Sequence, residues 1–149
     1  MEKSDTSRHA ICISAIKRHI LKPYDFKWTK FYESNEDFVS AYAGFAFDLL
    51  NQERAVCSTI LDDQNYTVLT TQRLIAKVNG VEDTAIFPDW KSKKFGSFKR
   101  DVHGDFTFAT VEKSDNSSMR YLIETGNASM VMINGIDTMY GFAISQLDR

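Results

Sequence analysis

The chain has 149 residues, enough for one domain with a substantial core and too few for two comfortable ones. Apolar residues make up 43% and charged residues 26%, the ordinary balance of a globular protein, and a net charge of −2 lacks the basic field that general nucleic-acid binding demands. Eleven Phe, six Tyr and two Trp suit a compact sheet protein with a filled interior.

The opening MEKSDTSRHAICISAIKRHI is polar and then amphipathic, with Arg8, Lys17 and Arg18 breaking the apolar run. It reads as neither a secretory signal nor a spanning helix. Cys12 and Cys57 lack CxxC spacing, so with no signal they are expected to be reduced, buried thiols of a cytoplasmic protein. Ile13, Ile16 and Ile20 recur at helical spacing, which predicts a helix over 6–21 capped by Thr6 or Ser7 and stopped by Pro23. Tyr24, Phe26 and Trp28 then alternate with polar residues, as a short strand or an extended connector. A second helix begins at Ser34 or Asn35, with Glu36 and Asp37 favouring its positive end and Phe38, Tyr42, Phe45 and Leu49 on one face. Gly44 inside it marks a small cost or a close neighbour.

The stretch from Glu53 to Phe87 is the nucleus of an antiparallel sheet. Ala55 to Leu61 is a mostly apolar strand, Asp62-Asp63-Gln64-Asn65 is turn chemistry, and Tyr66 to Thr71 is strongly β-prone. Leu74 to Val78 alternates, Asn79-Gly80 predicts a type I′ hairpin turn, and Val81 to Phe87 is its return strand, halted by Pro88. Trp90 to Arg100 is basic and aromatic around Gly96. Two further strands follow over 105–112, with Phe106 and Phe108 on one face, and over 119–124, joined by a turn at 114–117. The period then changes: Met130, Ile133, Tyr140 and Ile144 predict a closing helix from Asn127 to Leu147, weakened by Gly135 and Gly141. The sum is two helices, six or seven strands and a last helix, in a single domain over 1–149.

From residue 53 onward, this strand meander closed by one helix, with the phrases YTVLTTQRLIA, KFGSFK and YLIETGNASMVMI, resembles the bacterial pleckstrin-homology-like family, which is similar to GRAM domains. Leu69-Thr70-Thr71-Gln72-Arg73-Leu74 matches the family's LTxxRL phrase, a strand pair. The resemblance implies an α+β fold: a partly open antiparallel β-barrel or sandwich plugged by the C-terminal helix, with residues 1–52 as a helical extension. The phosphoinositide site of eukaryotic members lies in the first strand–turn–strand, which here is the acidic turn 62–65, so the resemblance does not carry that site over.

The sharpest local feature is the basic segment, where Lys91, Lys93, Lys94, Lys99 and Arg100 interleave with Trp90, Phe95 and Phe98. Such a pattern suits an anionic headgroup or an acidic peptide, and better still a solvated hairpin whose aromatics pack inward while its lysines face water. Asp62 and Asp63 point to opposite sides of a strand and are explained by the turn. His9, His19 and His103 lack metal-ligand spacing. Thr125-Gly126-Asn127 resembles a phosphate-cradling turn, yet with one glycine and no lysine it reads as a capped helix start. Glu124 is expected to help that cap or to pair with Arg73 or Arg120. No catalytic residue, metal site or cofactor is assigned.

The reading that follows is a non-catalytic module that binds a protein partner or its own copy through a sheet edge or open barrel end, with no nucleic acid and no membrane beyond surface contact. The alternatives are a small immunity-type inhibitor protein, or an enzyme whose site gathers around His103, Asp105 and Glu124.

Overall fold

A computed structural model describes residues 4–20, 26–41, 48–95 and 105–147. In chain order its elements are α1 (Asp5–His19), β1 (Thr29–Phe31), α2 (Asn35–Ala41), β2 (Ala55–Asp62), β3 (Asn65–Thr70), β4 (Arg73–Val78), β5 (Val81–Ile86), β6 (Trp90–Lys94), β7 (Phe106–Lys113), β8 (Ser118–Glu124) and α3 (Ser129–Leu147). Single 3-10 turns at Phe87–Asp89 and Gly126–Ala128 lead into β6 and α3. Strands β1 to β5 form one antiparallel sheet in sequence order, and β6 to β8 form a second. The fold is therefore α+β, with two antiparallel sheets between an N-terminal and a C-terminal helix.

Local chemistry sets the element ends. Ser4, rather than Thr6 or Ser7, caps α1, its Oγ accepting from the Ser7 amide at 3.1 Å. Ser34 Oγ accepts from the Asp37 amide at 3.2 Å to start α2, while the Asn35 side chain reaches across to Glu53 O and Ala55 N, both at 2.9 Å. The β4–β5 hairpin turns on Asn79 (φ 50°) and Gly80 (φ 81°), the pair of positive angles a type I′ turn requires. Pro23, Tyr42, Gly44 and Phe45 lie outside the described residues.

Strands β2 to β4 of the larger sheet are buried on both faces over most of their length, which is why they read as nearly continuous apolar runs rather than alternating ones. Cys57, Leu69, Leu74 and Ala85 stand in register across β2 to β5 and face the main core, with Val111, Tyr121 and Ile123 of the smaller sheet and Met132 and Ile136 of α3. Val68 and Ile75 point the other way, into a second cluster covered by Tyr32 and Phe38. The stretch read as a helical extension is built into this core. β1 adds a strand beside β2, and α1 contributes Cys12, Ile13, Ile16 and Ile20 to the main cluster.

The two sheets do not close into a barrel: among the described residues no ladder joins them. Side chains bridge the gap along the outer edge of β8. The Thr67 hydroxyl donates to Leu122 O at 2.7 Å and accepts from Leu122 N at 3.1 Å, so one buried side chain satisfies both main-chain groups. Two residues further along β8, buried Glu124 accepts from the Lys27 amide (2.9 Å), the Trp28 amide (2.8 Å) and the Thr29 hydroxyl (2.8 Å). Thr29 has spent its proton there, so the 2.9 Å contact with Thr59 is donated by Thr59.

Helices α1 and α3 cross over the sheet at Gly135. A Cβ added there would lie 2.7 Å from Leu69 Cδ2, 3.3 Å from Cys57 Sγ and 3.5 Å from Ile16 Cδ1. Cys12 Sγ donates to the Gly135 carbonyl at 3.4 Å. Gly141, two turns on, is exposed and has nothing within 4 Å.

Two predictions follow from this packing. Thr67→Val keeps the shape but strands Leu122 N–H and C=O, and should cost about 2 kcal/mol in urea unfolding, while Thr67→Ser should cost less. Gly135→Ala should destabilise by about 1–2 kcal/mol, overpacking outweighing the helix-propensity gain, and Gly141→Ala should stabilise by up to about 1 kcal/mol. Equal effects at the two glycines would refute the close-approach account.

Candidate functional site: an aromatic and cationic sheet face

β6 forms an edge of the smaller sheet, and lysines on an edge strand discourage unwanted pairing with other chains. The sequence grouped five cations here, and the structure separates those it describes. Lys91 Nζ lies 3.4 Å from Glu112 Oε1 and 3.1 Å from Asn116 Oδ1. Lys93 turns toward α3, where its Nζ is 2.8 Å from Asp137 Oδ1 and 5.3 Å from the ring centres of both Phe95 and Tyr140. Lys94 has no carboxylate partner among the described residues. Lys99, Arg100, Gly96 and Phe98 lie outside them.

The acid–base grouping expected at His103, Asp105 and Glu124 takes a different form. His103 falls outside the described residues. Both Glu124 oxygens are occupied by the three donors that tie β1 to β8, so it neither caps α3 nor pairs with an arginine. α3 instead opens at Ser129, whose hydroxyl donates to Gly126 O at 2.6 Å. Arg73 is held by buried Glu53, at 2.9 Å through Nε and 3.1 Å through Nη2, and Glu53 also takes the Thr70 hydroxyl and the Leu50 amide. Asp105 Oδ1 accepts from the Phe106 amide at 2.8 Å. In the acidic turn, Asp62 Oδ1 accepts from Gln64 N (2.8 Å) and Asn65 Nδ2 (3.2 Å), a closed local arrangement.

What the strands bring together is the outer face of the smaller sheet. In β7, Ala109 and Val111 point into the core, so Phe106, Phe108, Thr110 and Glu112 point out. Register places Lys94 on one side of Thr110 and Arg120 on the other, and Glu124 beside Phe106. Because Glu124 draws in the Lys27 and Trp28 amides, the Trp28 ring arrives at the end of this row. Trp28 packs edge-on to Phe106 with centres 6.0 Å apart, and Phe106 edge-on to Phe108 at 5.8 Å. Lys27 Nζ sits 4.5 Å from the Trp28 ring centre and the Arg120 guanidinium 4.2 Å from that of Phe108. Phe108 is 37% exposed. The alternation of Phe106 and Phe108 was legible in the sequence; the place of Lys27 and Trp28 in this row was not, because they lie about 80 residues from those phenylalanines in the chain and arrive only through Glu124, and Arg120 joins only through strand register.

Two grooves also mark the surface, one of about 350 Å3 between β1 and α2, lined by Phe26, Lys30, Tyr32 and Asp37 among others, and one of about 260 Å3 lined by Leu50, Ile86, Pro88, Met139, Arg8 and Arg73 among others. Among the described residues no three His, Cys, Asp or Glu side chains converge on a metal-sized site, and no helix is long and apolar enough to cross a membrane. No protein-family model, curated protein or solved structure matches the chain.

Cys12 and Cys57 are free and buried. Burial pushes the Cys12 thiol up to about 12, and lifts Cys57 well above its ordinary 9.0, with Cys12 adding to the effect. Burial likewise raises the Tyr121 hydroxyl, which has no hydrogen-bond partner among the described residues. These groups are neutral in the fold, whereas the unfolded thiols ionise from 9.0. Their contribution to stability is therefore complete below pH 9.0 and is lost as pH rises from there toward about 12. Denaturant midpoints should be level up to pH 9.0 and then fall, and thiol reagents at neutral pH should label neither cysteine until the chain unfolds.

Proposed function

We propose that this chain is a non-catalytic binding module of the pleckstrin-homology-like class, acting through protein contact. The order of elements from β2 onward supports the class: a four-strand meander, a three-strand meander and one long helix packed on the core. β1 and α1 are additions to that plan. The β2–β3 turn carries Asp62 and Asp63 where a phosphoinositide-binding member needs cations, so the reading is of a protein ligand rather than a lipid headgroup.

The observation that carries the reading is the outer face of the smaller sheet, with Trp28, Phe106 and Phe108 in a row under Lys27 and Arg120. Aromatic residues and arginine are the side chains that dominate binding energy at protein interfaces. Enzymatic readings lose Glu124, whose oxygens are spent on structure.

The test is capture of partners from the native cell lysate by the tagged protein at low and high salt, alongside light scattering over a range of concentrations. Wild type should retain one dominant partner, or assemble with itself, and Phe108→Asp should lose that contact with its melting temperature unchanged. A blank capture from a protein that stays monomeric, or retention undiminished by Phe108→Asp, would overturn the reading.

A further inference from the structure

We infer that the outer face of the smaller sheet takes an acidic segment of a partner protein that also offers an aromatic or aliphatic side chain, an inference that rests on the binding-module reading above. The chain as a whole carries net charge −2, yet this face is locally cationic. Lys17, Arg73, Lys91, Lys93 and Lys113 are each paired with a carboxylate. Lys27, Lys94 and Arg120 are not, among the described residues; register sets Lys94 and Arg120 on one face, and Lys27 reaches the end of its aromatic row over the Trp28 ring, which packs on Phe106. Glu112 and Glu124 share that face; Glu112 is already engaged by Lys91, and Glu124 is buried and taken up by the Lys27 and Trp28 amides and the Thr29 hydroxyl.

The arrangement is preorganised for a carboxylate. The Arg120 and Lys27 head groups rest on ring faces rather than on acids, so an incoming anion meets them without breaking an ion pair. Lys94 and Arg120 flank Thr110 from the two neighbouring strands, which sets the cations roughly 10 Å apart across the sheet at two strand spacings. Beside that cationic rung, Phe108 and Phe106 run along β7 as an apolar strip, so charge and apolar contact are offered side by side. Single-stranded nucleic acid fits less well, because Lys27 and Arg120 occupy the ring faces on which bases would stack. A lipid surface selects basic clusters of about four to eight residues, more than the three gathered here among the described residues.

The experiment uses the full chain and a fluorescein-labelled peptide of Glu-Phe-Ser repeats, read by anisotropy and by amide and indole shifts in 15N spectra. Lys-Phe-Ser repeats, oligo(dT) and phosphatidylserine vesicles serve as rivals. The Glu-Phe-Ser peptide should bind and move the Trp28 indole signal. Arg120→Glu should weaken it by about tenfold or more, Arg120→Lys by less, and added salt should weaken the wild type too. Phe108→Ser should weaken it at any salt. Absence of binding, equal binding by Arg120→Glu, or tighter binding of any rival to this face would overturn the inference. The lysate capture separates the two levels. A partner retained through Phe108 with no response to the acidic peptide removes the acidic ligand alone, and a blank capture removes the module reading beneath it.

Discussion

The edge of β8 is the constraint on which this structure depends. A strand at the border of a three-stranded sheet presents unpaired main-chain groups, and burying them against a second sheet demands partners for each. Closing a barrel would supply those partners by a ladder. Here one threonine does so from the side for Leu122, while one glutamate ties the same edge to the segment before β1. Thr67 satisfies both groups of Leu122, and Glu124 reaches past the end of its own strand to collect two amides and a hydroxyl from the segment before β1. The sheets are consequently held at a set offset with the core between them, and β1 is fixed as a fifth strand.

Much of this architecture could be read from residue order, because it is governed by local chemistry. The Asn79-Gly80 turn, the four-residue turn at 62–65, the apolar β2–β4 runs and the change to helical period near Asn127 are short-range signals, and the elements form where those signals lie. What escaped were the long-range choices. Of the stretch from Tyr24 to Trp28, Tyr24 and Asp25 lie outside the described residues; Trp28 is held by Glu124 as a connector, and the strand begins one residue later, at Thr29. The helical preface appeared separable because its polar start and amphipathic middle look like a surface helix. Its burial follows from Gly135, which admits Ile16 and Cys57 to the same small space.

The candidate surface was less legible for a related reason. Clustered lysines are conspicuous in a sequence, whereas the acids that neutralise them are dispersed: Glu112 is on the neighbouring strand and Asp137 on the last helix. The sequence therefore drew attention to Lys91 and Lys93, whose charges are locally balanced. Lys27 and Arg120, two of the cations without carboxylate partners among the described residues, lie outside that cluster and become neighbours of one aromatic row only when β7, β8 and the segment before β1 are brought together.

The contact between Cys12 and Gly135 spans 123 residues of chain. At ribosomal speeds of roughly 5–20 residues per second, α1 emerges on the order of ten seconds before the helix that covers it. For that interval the core that Ile13, Ile16 and Ile20 enter lacks its α3 side chains, and the sheet face bearing Leu69 is without the helix that covers it. The order of synthesis thus separates the two helices in time, and their crossing over Leu69 cannot form until α3 has been made.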